Sequence, residues 1–80
     1  MTEQHVIDNV RRRWLEVLDI EQVADGDDFF LTGGHSLLAV RLTAALREDL
    51  DARIPLSAIF ELRTLKGFAD RVADLVGPAV

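Results

Sequence analysis

An all-α fold is what this sequence predicts, a small four-helix bundle with a long first loop and a short third helix. Three observations lead there. Apolar residues recur at helical spacing in three long stretches, Gly and Pro punctuate the gaps between them, and no stretch alternates apolar and polar residues as a half-buried strand would. At 80 residues, 49% hydrophobic, the chain is expected to form a single domain over 1–80 with a folded core at about 3–76. That length lies near the lower limit for an apolar core without staples.

The first helix is expected to start near Thr2, a side chain suited to an N-cap, and to turn Ile7, Val10, Trp14, Val17 and Leu18 toward the core. Asp19 to Thr32 then reads as a long connection, heavier than most links between helices, so it should be pinned to the body. Phe29 and Phe30 are the expected pins. Gly33-Gly34 interrupts regular structure, and a second helix runs from about Ser36 to Leu50 with Leu38, Ala39, Leu42, Leu46 and Leu50 inward. Ile54-Pro55 forces an extended step, because the residue before proline avoids the helical region. Leu56, Ile59 and Phe60 suit a short third helix. Thr64 is placed to cap a fourth, whose stripe is Leu65, Phe68, Ala69, Val72, Leu75 and Val76, and Gly77-Pro78 ends it.

Charge narrows the function classes. Residues 1–35 carry three Arg against eight acids and residues 36–80 carry six basic against six acidic groups, which together give the net charge of −5. A pI near 4.8 argues against nucleic acid, whose phosphates require a positive surface. Arg11-Arg12-Arg13 is too short to reverse this, and Arg12 lies four residues from both Asp8 and Glu16, as on a solvated, ion-paired helix face. With no Cys, there is neither a disulfide framework nor a thiolate metal site, and any thiol chemistry has to be attached. No apolar run is long enough to span a membrane and no secretory signal opens the chain, so the expected location is cytoplasmic. The two His lack ligand spacing, and Val23 occupies a position where a calcium loop ending at Gly26 needs Asp or Asn, so no metal is expected.

Ser36 stands immediately before an apolar-periodic run, where a hydroxyl ordinarily caps the helix. The same place suits an attached phosphate, because a helix N-terminus presents free N–H groups and partial positive charge. Gly33 and Gly34 remove side chains that would hinder another protein's active site. A nucleophilic role fits poorly. Gly34-His35-Ser36-Leu37-Leu38 lacks the closing glycine and the strand of a nucleophile elbow, and His5 lies at the far end of the sequence.

Asp27-Asp28-Phe29-Phe30-Leu31-Thr32-Gly33-Gly34-His35-Ser36-Leu37-Leu38 resembles the attachment motif of acyl carrier domains, and specifically of the peptidyl carrier (thiolation) domains of nonribosomal peptide synthesis. The resemblance extends more weakly along nearly the whole chain. It implies a non-catalytic, monomeric carrier whose Ser36 receives 4'-phosphopantetheine from coenzyme A through a phosphopantetheinyl transferase. An adenylation enzyme would load the arm with an aminoacyl or aryl acid as a thioester, for condensation, thioesterase or tailoring enzymes to use. His35 matches the histidine that often precedes the serine in peptidyl carriers, where fatty-acid carriers usually have aspartate. A polyketide or fatty-acid carrier is the near alternative, and a cofactor-free helical interaction module the distant one. The initial Met and the Gly77-Pro78 stop suit a free-standing carrier and equally an excised domain given a start codon.

Two positions depart from the family pattern. Thr32 stands where leucine is usual before the glycines, leaving Leu31 to supply that apolar contact, and Arg63 replaces a frequent proline. Neither is expected to touch the attachment chemistry.

Angular sorting of the second helix leaves a further stripe. Leu37, Val40 and Ala44, interleaved with Arg41, fall on the serine's side rather than the core's. Either the third helix or the first loop covers them, or they form a docking patch beside the arm. The resemblance favours docking.

Overall fold

The computed structural model describes residues 2–77. Met1, and the Pro78 half of the expected helix stop, lie outside them. Four helices follow in order, α1 (Glu3–Leu18), α2 (Ser36–Leu50), α3 (Ser57–Glu61) and α4 (Leu65–Val76). No strand occurs among the described residues; the one β-like contact is an isolated antiparallel bridge between Asp28 and Thr64.

α1 packs against both α2 and α4, so it is the central element of the bundle. Thr2 begins it as expected, its Oγ1 accepting the His5 N–H at 3.1 Å. The buried stripe is Val6, Val10 and Trp14, a strict i, i+4, i+8 series, with Asn9 beside it. Ile7, Val17 and Leu18 are only partly buried, so the inward face is rotated from the expected one. In α4 the same adjustment buries Ala73 and leaves Leu75 exposed.

The core joins Trp14 of α1 and Phe68 of α4 to Phe29, which comes from the long loop. Trp14 meets Phe29 edge-on, ring centroids 5.1 Å apart, and Phe68 with the rings tilted by 49° and centroids 6.1 Å apart. Such edge contacts add to the burial of area. Phe29 is therefore the deeper of the two pins. Phe30, half-buried, packs against the edge of the core, edge-on to Phe29 with centroids 5.2 Å apart, and faces α3 on its other side.

Backbone pairing completes the loop's attachment. The Phe29 N–H donates to Arg63 O at 2.8 Å, and loop carbonyls of Asp27 and Asp25 accept from Leu65 and Lys66 at 3.1 and 2.9 Å. Thr64 Oγ1 takes the Gly67 N–H at 3.2 Å. The first-turn amides of α4, which have no partner within the helix, are thus satisfied by the loop and the cap together.

Three expectations are corrected by this packing. Leu31 supplies no apolar contact and is 82% exposed. Thr32 holds the loop instead, its Oγ1 donating to Asp28 O at 2.7 Å. In α3, Ala58 and Ile59 are buried and Phe60 is left outside. Arg12 does not reach Asp8, which accepts from Gln4 at 2.8 Å; it lies 3.8 Å from Glu16 and 3.7 Å from Asp49. The arginine run is consequently more than a solvated face. Arg13 grips Asp49 of α2 with Nε at 2.6 Å and Nη2 at 2.7 Å, and Arg11 reaches Val23 O and Asp25 in the loop. Finally, Ser36 caps nothing. His35 is the extended N-cap residue of α2 and has no side-chain cap bond, while Ser36 is already helical.

Candidate functional site

Gly33, Gly34, His35 and Ser36 form the turn into α2, and each has a separate physical task. Gly33 adopts φ 113°, a conformation that side chains resist. Gly34 passes directly over the core pin. Its N–H donates to Phe29 O at 2.9 Å, and a Cβ there would collide with the Phe29 ring and carbonyl. The aromatic that anchors the loop thus also sets the height at which α2 begins.

His35 accepts the Ala39 N–H on its backbone carbonyl at 2.9 Å, which closes the first turn. The amides of Ser36, Leu37 and Leu38 have no partner among the described residues. α1 and α4 each have a threonine cap, and α2 does not. An exposed hydroxyl therefore sits in the first turn of a 15-residue helix whose end is left unneutralised. That is an arrangement favourable to a phosphate ester.

A groove of about 370 Å³ opens beside the serine, lined by Phe30, Gly34, His35, Ser36, Phe60 and Arg63. Phe30 and Phe60 stack with centroids 5.2 Å apart and planes at 19°, and the Arg63 guanidinium lies 4.9 Å over the Phe30 ring. Sequence reasoning missed Phe60 and Arg63. One signal was present: Ile59 and Phe60 are adjacent, about 100° apart on a helix, so a short helix could not readily bury both. The Arg63 contact depends on how the loop crosses α4, which no local pattern reports.

The remaining candidate residues lie along α2. Leu37 is 56% and Val40 45% exposed, and Arg41 and Ala44 are exposed beside them. Neither the loop nor α3 covers the stripe. At about 100° per residue, Ser36, Leu37, Val40, Arg41 and Ala44 span an arc of about 140°, opposite the buried Ala39, Leu42, Thr43, Leu46 and Leu50. Asp49 is drawn away to Arg13 and Asn9, so it adds no charge to this side. No cluster of metal-ligating side chains occurs among the described residues, and none of the described helices is long and apolar enough to cross a membrane.

Residues 8–72 match the model of the phosphopantetheine attachment site family, and the chain belongs to that family. Its solved neighbours at 30% identity or more include peptidyl carriers. It is 41% identical over 59 residues to bacitracin synthase 3 of Bacillus licheniformis, a match covering 74% of this chain and 1% of that protein. Its length is thus a very small part of the curated relatives it matches. Among solved structures it superposes with a TM-score of 0.80 on a peptidyl carrier protein in complex with the phosphopantetheine transferase Sfp and coenzyme A, at 30% identity, covering 86% of this chain and 90% of that one. BlmI, a type-II acyl carrier protein from Streptomyces verticillus involved in bleomycin biosynthesis, gives 0.83 at 28% identity, covering 90% and 87%. The carrier fold and the phosphopantetheine cofactor follow for this chain as they do for the family.

Proposed function

We propose that Ser36 is the attachment residue and that the chain presents an aminoacyl or aryl group, held as a thioester, to enzymes of nonribosomal peptide synthesis. The observation that carries this is the exposed Ser36 hydroxyl in the first turn of an uncapped α2, reached across two glycines. Within a transferase, Ser36 Oγ attacks the phosphorus that bears pantetheine in coenzyme A. The new Oγ–P bond replaces the pyrophosphate P–O bond, adenosine 3',5'-bisphosphate leaves, and the hydroxyl proton passes to a base of the transferase. When attached, the arm supplies the thiol that this cysteine-free chain lacks.

The chain's own residues do the rest. Gly33 and Gly34 leave the approach open, the free amides of Ser36 to Leu38 favour the phosphodiester, and His35 stands at the rim where a transferase would meet it. Leu37, Val40, Arg41 and Ala44 offer the partner surface, an apolar stripe with one cation. Loading would fall to an adenylation enzyme, and use of the cargo to condensation, thioesterase or tailoring enzymes in the cytoplasm.

Incubation with coenzyme A and a promiscuous transferase, read by intact mass, tests the reading. Wild type should gain one phosphopantetheine and Ser36→Ala none. Because the hydroxyl caps nothing, the alanine variant should retain its stability to within about 0.5 kcal/mol. A modified Ser36→Ala would overturn the assignment.

A further inference from the structure

Arg63 is a departure from the family pattern that turns out to share a groove with Ser36. Its guanidinium is held on two sides. Nε pairs with Asp28 Oδ2 at 3.1 Å, and the plane lies over Phe30. Asp28 is itself fixed, its Oδ1 accepting the N–H groups of Phe30 and Leu31 at 2.8 and 3.2 Å. The two terminal nitrogens of Arg63 have no hydrogen-bond partner among the described residues, so a preoriented fork of donors remains at the groove wall. Such a fork suits a phosphate oxygen pair. Next to it the stacked Phe30 and Phe60, the latter 44% exposed, form an apolar shelf.

Accepting that Ser36 carries the arm, we propose that Arg63 binds the arm's phosphodiester and lays the proximal pantetheine along the Phe30–Phe60 shelf. The occupant is set by continuity and charge: the phosphate is bonded to a residue of the groove itself, it is anionic, and Arg63 is the cation of that groove. The contact lies at the surface, so it biases the arm toward the body and leaves it free to extend into a partner. Salt weakens it for the same reason.

The test uses isotope-labelled protein in apo and holo forms, with attachment verified by intact mass. Amide and Arg Nε–Hε signals are compared between the two forms, together with the phosphorus resonance of the holo form. Attachment should shift Phe60 and Arg63 as well as the immediate neighbours of Ser36, and added sodium chloride should reduce the distant shifts. In Arg63→Gln the Phe60 shift should vanish while those at His35 and Leu37 persist. Asp28→Asn breaks the same ion pair but keeps the guanidinium, so it should retain the Phe60 shift and thereby separates arm binding from loosening of the loop. The proposal is overturned if wild-type shifts stay confined to residues beside Ser36, or if Arg63→Gln leaves the Phe60 and phosphorus signals unchanged. Absence of any mass increment on the wild type would instead remove the attachment reading, and this inference with it.

Discussion

A methyl group at position 34 would have to displace Phe29, the residue that pins the loop to the core. Gly34→Ala should therefore destabilise by roughly 1–3 kcal/mol, the usual penalty of overpacking, measurable by urea denaturation. It should also slow phosphopantetheine transfer, because the start of α2 must shift. An alanine variant as stable as wild type would mean that the ring moves aside freely. The glycine pair and the serine were legible in the sequence because their residue types are rare and consecutive. The cap was not. Whether a serine occupies the last extended position or the first helical one is a difference of one residue, decided here by His35 taking the extended conformation.

Along α2, core and surface separate cleanly, and that separation yields the docking prediction. Leu37→Arg and Val40→Arg should leave the melting temperature nearly unchanged, within about 0.5 kcal/mol, and slow acyl loading or transfer. Leu42→Ala, a buried truncation, should cost roughly 2–5 kcal/mol. If either arginine variant melts as readily as Leu42→Ala, the stripe belongs to the core. Between elements, Asp49 joins α2 to α1, and the hydrogen bonds from Arg13 hold its carboxyl down at about 2, against 3.8 ordinarily, outweighing the burial that would raise it. A folded-state value below the unfolded one gives a contribution complete above the ordinary carboxylate range and lost as pH falls through about 2. Asp49→Asn should thus be less stable near neutral pH and show a shallower loss of melting temperature on acidification than wild type. Parallel curves would remove Asp49 from the pH response. Helix ends and the α2 stripe were readable from period and caps. The Arg13–Asp49 tie was not, since residues 36 positions apart meet only once α1 and α2 pack.

For the molecule as a whole, the aromatic centre of Trp14, Phe29 and Phe68 joins two helices and the loop, so the site's geometry and the fold's stability share one origin. Trp14→Ala should cost roughly 3–5 kcal/mol in chemical denaturation, a large part of what a small fold has. Trp14→Phe should cost far less, because it also removes a buried indole N–H that has no partner. Equal losses in the two would contradict that packing. The all-helical fold was legible because three stripes and their breaks agree with one another. The groove at Ser36 was not, because Phe30, Phe60 and Arg63 converge through the path of a loop that carries no period. Whether this fold presents one modified serine can be read by tandem mass spectrometry of the holo protein after trypsin digestion. Phosphopantetheine should be found on the peptide of residues 14–41, localised to Ser36, and on no other peptide. Modification at Thr32 or Ser57, or a second modified peptide, would contradict that reading.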